Sequence, residues 1–312
     1  MNESIERVGV MENHTGFEAV APEQLGITSA SLINLIETAA ARDLCLHSLM
    51  VIRHGKVAAQ MWWKPYSPEK PHHLYSFSKS ITCTAVGFAI SEGLLSLDDR
   101  VVKFYPRRVE NLLDKRVYSM TIEHLLTMTS GAFIANEAMM NIHIDWAEWF
   151  LNSPLTYFPG EKFIYNSLNT YMLSNIIRRV TGMGLVDYLT PRLFEPLGIK
   201  RPQWYTCPMG IECGGWGLEL TTEDMAKFTL LYLNDGVWNG KRILPEGWAR
   251  LVGEKHADSS TDAKFAYRPD STAGYGYQFW INRDGKSYRA DGMYAQYGLV
   301  LPEKDAVNSR LS

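Results

Sequence analysis

Cysteine is scarce in this chain. The four present, at 45, 83, 207 and 213 of 312 residues, show no C-x-x-C spacing and no disulfide framework. Cys207 and Cys213 lack nearby histidines to complete a metal set, so isolated reduced thiols in a cytoplasmic protein are expected. No apolar run approaches the roughly 20 residues of a membrane span. The first twenty residues carry Glu3, Glu6, Glu12 and Glu18 and no apolar stretch, so no secretory signal is expected there. Charge of a single sign is also missing: 31 Lys and Arg face 34 Asp and Glu, giving a net charge of −3 without blocks. That pattern leaves no electrostatic footprint for nucleic acid, a membrane surface or a basic partner. There is no internal repeat, no low-complexity tract and no G-x-S-x-G elbow.

What remains is an ordinary globular composition, 46% hydrophobic and 21% charged. A chain of this length buries about 75% of its unfolded surface. One compact unit with two lobes is expected. Thr28 or Ser29 caps a predicted helix to about Ala41, with Leu32, Leu35, Ile36 and Ala39 on one face. Two β-rich runs follow, Ser48 to Arg53 and Val57 to Trp62, with His54-Gly55-Lys56 as the turn. Helical patterns then dominate from Leu97 to about Arg201, including Thr121 to Thr127, Asn166 to Val180 before Gly182, and Leu185 to Leu193. Thr221 and Asp224 have capping-box spacing. Strand signals return at Tyr275 to Ile281, Ser287 to Ala290 and Ala295 to Leu301.

Strands at both ends of the chain predict a single antiparallel sheet flanked by helices, an α/β (α+β) fold with an all-helical insertion. The expected division is a lead-in over 1–25, an α/β lobe over 26–96 and 205–312, and an inserted helical lobe over 97–204. A cleft between the lobes is the expected site.

Chemistry enters at Tyr75-Ser76-Phe77-Ser78-Lys79-Ser80, which opens the apolar run Ile81 to Ile90. Ser76 and Lys79 are three apart, so a helix places hydroxyl and amine on one face. A serine needs a base to become a nucleophile. A lysine in a dry pocket has a lowered pKa and can be that base near neutral pH. The helix N-terminus also favours negative charge on a tetrahedral intermediate. Ser67-Pro68-Glu69-Lys70 has the same spacing, but Pro71 follows it and a surface loop is expected. On the S-x-x-K alone, a capping serine beside a solvated lysine stays an open reading. So does a triad using His72 or His73, while His124 reads as structural. Tyr165 in Tyr165-Asn166-Ser167 can relay a proton if nearby cations hold its pKa down.

Several segments in order make the chain resemble the class C β-lactamase-like serine hydrolases, related to penicillin-binding proteins. The resemblance runs from about Pro22 to Asp305. Its carriers are Ser76-Phe77-Ser78-Lys79 (S-x-S-K), Thr121 to Gly131, Tyr165-Asn166-Ser167 (Y-x-S), Gly214 to Leu218 and Asp224-Met225-Ala226. It implies catalytic roles for Ser76, Lys79 and Tyr165, and an oxyanion hole formed by the N–H groups of Ser76 and Met293, next to Gly292. The third motif, K-T-G or H-x-G, corresponds to Ala290-Asp291-Gly292, without a leading cation. Arg289 is one place away and a strand alternates faces. Arg289 and Asp291 read either as a surface ion pair or as binding groups. Trp216 and Tyr294 are candidates for an apolar acyl pocket.

The leading functional expectation is a carboxylesterase acting on small esters through an acyl-enzyme, without metal or organic cofactor. A β-lactamase or D,D-peptidase is the second reading, and a catalytically impaired binding protein the third. The partner expected is a small ester or amide. The family pattern would continue past Val307 into another strand and a closing helix, whereas the sequence stops at Ser312. A truncated form is therefore expected, with an uncovered sheet strand through which a homodimer can form.

Overall fold

The structure is a computed structural model and describes residues 16–108, 112–133 and 145–312. Helix α1 (Ser29–Ala41) begins where the Thr28 hydroxyl accepts the Ser31 N–H. Strands β1 (Ser48–Arg53) and β2 (Lys56–Trp62) form a hairpin. Its turn residues His54 and Gly55 both take positive φ, the setting that matches strand twist. A short strand β3 (His72–His73) leads through a 3-10 turn, Tyr75–Phe77, into α2 (Ser78–Ser91).

The middle of the chain supplies α3 (Ile122–Leu126), α4 (Trp146–Asn152), α5 (Ser167–Thr181) and α6 (Leu185–Leu189). Left-handed Gly182 closes α5. The helix expected from Leu185 to Leu193 is interrupted at Leu189 and continues as a π turn over Thr190–Phe194. Pro191, which has no N–H to donate, sits in that turn. Next come β4 (Glu219–Leu220), paired with β3, and α7 (Thr222–Leu233). β5 (Val237–Trp238) and β6 (Lys241–Arg242) form a small hairpin on Asn239-Gly240, and α8 (Trp248–Val252) follows.

The remaining strands are β7 (Trp280–Ile281), β8 (Tyr288–Gly292), β9 (Gln296–Leu301) and β10 (Ala306–Leu311). Strands from both ends of the chain join one antiparallel sheet in the order β2-β1-β10-β9-β8-β7. Two expectations need correction. The strand expected to be missing past Val307 is present: Val307 to Leu311 belong to β10, which β1 and β9 hydrogen-bond on either side. The sheet's edges are β2 and the two-residue β7. The strand expected over Tyr275 to Ile281 is confined to β7, because Gln278 takes a φ of 59° and directs its N–H to Leu126 O instead of to a strand.

Helix α7 packs on one face of the sheet, with Ala226 and Leu230 against Met50, Ile52, Val57 and Val307. Gly298 permits this approach. A Cβ there would lie 2.5 Å from Thr229 Oγ1 and 2.8 Å from the Phe77 ring. Helix α2 is buried from Ser78 to Ala89, and its polar side chains are satisfied from outside the helix. Ser80 Oγ donates to Gln278 O, Thr82 Oγ1 donates to Gly214 O, and Thr84 Oγ1 shares a bond with the Tyr232 hydroxyl. No helix among the described residues is long and apolar enough to cross a membrane.

The capping box at α7 forms as its spacing predicts: the Asp224 N–H donates to Thr221 Oγ1, and the Thr221 N–H donates to Asp224 Oδ2. Thr221→Ala removes one half of it. The expected loss is about 1 kcal/mol of unfolding free energy, read from the midpoint of a urea titration; an unchanged midpoint would show that α7 needs no cap.

Candidate active site

The 3-10 turn before α2 presents Ser76 at the cleft, half-buried, while Lys79 in the first turn of α2 is 1% exposed. The backbone at Tyr75 is strained, with a φ of 48° in a residue that carries a Cβ. Ser78 Oγ pins the turn by donating to Tyr75 O and accepting the Leu218 N–H. Lys79 Nζ lies 2.9 Å from Ser76 Oγ, 3.0 Å from Ser167 Oγ and 2.7 Å from Gly215 O. Burial lowers the Lys79 pKa to about 7, and the Asp291 carboxylate only partly opposes this. The amine can therefore be neutral near physiological pH and accept the serine proton.

Tyr165 completes the group. Lys79 Nζ sits 4.9 Å from its ring centroid, and its hydroxyl lies close enough to Ser76 to feel that side chain. The ring stacks on Trp280, and the Tyr165 N–H donates to Asp262 Oδ2. Here an expectation is overturned. Nearby cations do not hold this phenol's pKa down; burial pushes it well above the usual tyrosine range, despite the opposing influence of Ser76 and Arg268. Tyr165 is a neutral hydroxyl at rest, able to donate a proton, and Lys79 is the neighbouring group able to accept one.

The structure thus brings Ser76, Lys79 and Tyr165 together. It also adds Ser167 Oγ and the Gly215 carbonyl as partners of the amine. The Y-x-S and Gly-Gly segments were visible in the sequence, but their partnership with Lys79 was not. His72 and His73 lie in β3, with rings against Tyr66 and Tyr75 respectively. His124 caps α3, its Nδ1 accepting the Thr121 N–H. Lys70 donates to Pro65 O from a turn, and the Ser67–Lys70 segment stays clear of this site.

Strand β8 borders the nucleophile turn. A Cβ on Gly292 would stand 2.2 Å from Leu74 O, so only glycine allows this approach. Met293 and Tyr294 follow in the exposed loop to β9, with the Tyr294 ring edge-on to Tyr75. Arg289 and Asp291 do not form a surface pair. They are two apart on β8, share a face, and are ion-paired at 2.9 Å with only 6% and 9% side-chain exposure. Arg289 also donates to Asn282 Oδ1, Asp270 O and Ser271 Oγ. The Asp291 carboxylate is held by the protein's own cation and is not free to receive a substrate cation. Trp216 is half-buried, stacks on Trp146 at 5.7 Å, and accepts the Trp204 indole N–H at its carbonyl.

No group of three or more candidate metal ligands occurs among the described residues. The four cysteines carry free thiols, with only Cys45 exposed.

An antiparallel sheet with helix α7 packed on one face, and a serine–lysine pair at the mouth of a buried helix, define a serine hydrolase of the β-lactamase fold. Residues 40–312 match the Beta-lactamase family, and the chain belongs to it. It is 25% identical over 289 residues to the 6-aminohexanoate-dimer hydrolase of Paenarthrobacter ureafaciens, covering 86% of this chain and 73% of that protein. Among solved structures, it superposes on EstCE1, a hydrolase with promiscuous acyltransferase activity, with a TM-score of 0.72 and 18% identity, covering 93% and 94% of the two chains. The octameric penicillin-binding protein homologue from Pyrococcus abyssi gives a TM-score of 0.73 at 22% identity, covering 91% of this chain and 73% of that one. These likenesses establish the fold.

Gly292→Ala drives a methyl into the Leu74 carbonyl. The expected outcome is a loss of about 1–3 kcal/mol of stability from overpacking, measured by urea unfolding. Full retention of stability would mean that β8 and the nucleophile turn are not in the contact described.

Proposed function

We propose that this chain is a carboxylesterase that cleaves small esters through an acyl-enzyme on Ser76. The observation that carries the reading is a desolvated amine, Lys79, 2.9 Å from the hydroxyl it would activate. Neutral Lys79 takes the Ser76 proton as Oγ attacks the ester carbonyl. The negative charge then developing on the carbonyl oxygen is received by the backbone N–H groups of Ser76 and Met293. The protonated amine returns its proton through the Tyr165 hydroxyl to the departing alkoxide, and the carbon–oxygen bond breaks. Water enters by the same relay in reverse, and its attack releases the acid and restores Ser76. The proximity of Gly292 to Leu74 O supports the role of Met293 by keeping the start of its loop against the nucleophile turn.

Short linear amides are the second reading, favoured by similarity to a 6-aminohexanoate-dimer hydrolase. They require the same steps plus firm proton delivery to an amine, which a neutral Tyr165 can make. A β-lactam or D,D-peptide substrate is less well served. Ala290 stands where that chemistry places a cation, and neighbouring Arg289 is already consumed by Asp291.

Two measurements test the reading. Wild-type protein should label with a fluorophosphonate and release a burst of p-nitrophenol from a short-chain ester, while Ser76→Ala loses turnover by at least about a thousandfold. Equal turnover by the variant refutes the assignment. Second, kcat/KM should climb about tenfold per pH unit below pH about 7 and level off above it, because the base must be unprotonated. A flat profile from pH 5 to 8 would remove Lys79 from that role.

A further inference from the structure

We infer that Gln296 is a positioning residue for the oxyanion pocket, clamping the strained 293–295 loop so that the Met293 N–H faces Ser76. The inference rests on the proposed acyl-transfer function and names a residue that neither the motifs nor the catalytic group contains. The loop joins β8 to β9 directly beneath the register pair Gly292–Gln296. Tyr294 and Ala295 have φ of 61° and 64°, a region that residues with a Cβ enter only at a cost. Neither is the glycine or asparagine that such turns favour. The loop is not anchored by burial of its own side chains, since Met293 and Tyr294 are 56% and 64% exposed.

Gln296 provides the anchor from below. It is 1% exposed, and its Nε2 donates to Met293 O at 3.2 Å and to Tyr294 O at 3.3 Å. The same amide is fixed at its far side by the Ser312 backbone, donating to Ser312 O and accepting the Ser312 N–H at Oε1. Its Cβ and Cγ lie flat against Gly292, so a side chain on 292 would displace it. The amide therefore bonds the carbonyl of the very residue whose N–H is assigned to the oxyanion, and of the next residue. A donor displaced by a fraction of an ångström serves the ground state little worse but the transition state much worse. The loop also meets the nucleophile turn, Tyr294 against Tyr75, so both sides of the pocket carry left-handed residues in contact.

The test is Gln296→Glu. This change keeps the size and an acceptor for Ser312 N–H, but sets a carboxylate against three carbonyl oxygens, those of Met293, Tyr294 and Ser312. On a p-nitrophenyl ester, kcat should fall about tenfold to a hundredfold with KM within about twofold. The affinity of an alkyl boronic acid, which forms a tetrahedral adduct with the serine, should fall by the same factor. If Gln296→Glu does not fold, Gln296→Asn, one methylene short of both carbonyls, is read in the same way. A folded variant whose kcat and boronate affinity stay within about twofold of wild type overturns the inference, as does a loss seen only in KM. Because Ser76→Ala is measured alongside, persistence of activity in that variant would instead condemn the proposed function itself.

Discussion

An amine with almost no contact with water, held within hydrogen-bond reach of a serine, is the constraint around which the rest of the site is arranged. Lowering a lysine from 10.5 to about 7 means that protonating it in place costs several kcal/mol more than in water. The protein carries that cost in full below pH about 7, where the folded and unfolded chains are both protonated. Between there and the ordinary lysine value the folded chain binds fewer protons than the unfolded one, so stability rises with pH across that window. The three acceptors around Nζ make the protonated state bearable without making it preferred: two hydroxyls and one carbonyl, with no carboxylate in direct contact. The nearest carboxylate with an effect, Asp291, is already bonded to Arg289 and acts only from a distance.

That arrangement depends on polar groups buried inside otherwise apolar packing. Gln278 illustrates how it is held. Its carbonyl accepts Ser80 from α2, its side chain accepts Thr170 from α5, and its amide donates to Leu125 O and Leu126 O at the end of α3. Helix α2 carries the amine and α5 begins with Ser167, so one glutamine fixes the two helices whose separation sets the Lys79–Ser167 contact. An unmet bond in such a network is costly, which makes the spacing specific. The left-handed backbone at Gln278 that interrupts the expected strand is what lets a single residue face three helices.

The parts legible in the sequence were those that local chemistry determines. Thr28 and Thr221 cap their helices because a hydroxyl reaches an N–H three residues on, and Ser76 and Lys79 meet because one helical turn separates them. The antiparallel sheet was legible from strand patterns at both ends. What escaped was set by distant parts of the chain. Ser167 and Gly215 reach Lys79 from 88 and 136 positions away, and no spacing rule encodes that. The strand past Val307 was missed because the six residues of β10 gain meaning only between β1 and β9. The Tyr165 pKa was misjudged for a related reason: the residues that bury it, Trp280 and Phe265, are invisible from its own neighbourhood.

The charges beside the site bear on the proposed preference for uncharged esters. Strand β8 holds one arginine and one carboxylate beside the site, and each neutralises the other within the protein. An anionic substrate group would have to compete with Asp291 for Arg289, whose remaining donors already serve Asn282, Asp270 and Ser271. Opening that buried network to admit a carboxylate exchanges good bonds for equivalent ones and gains little. An uncharged acyl group asks for no such exchange. Tyr75 and Tyr294 line the cavity next to the nucleophile turn together with Arg268 and Arg310, so aromatic contact is available there beside charged side chains. Under the proposed function, the pairing on β8 keeps Arg289 itself from gripping a substrate carboxylate.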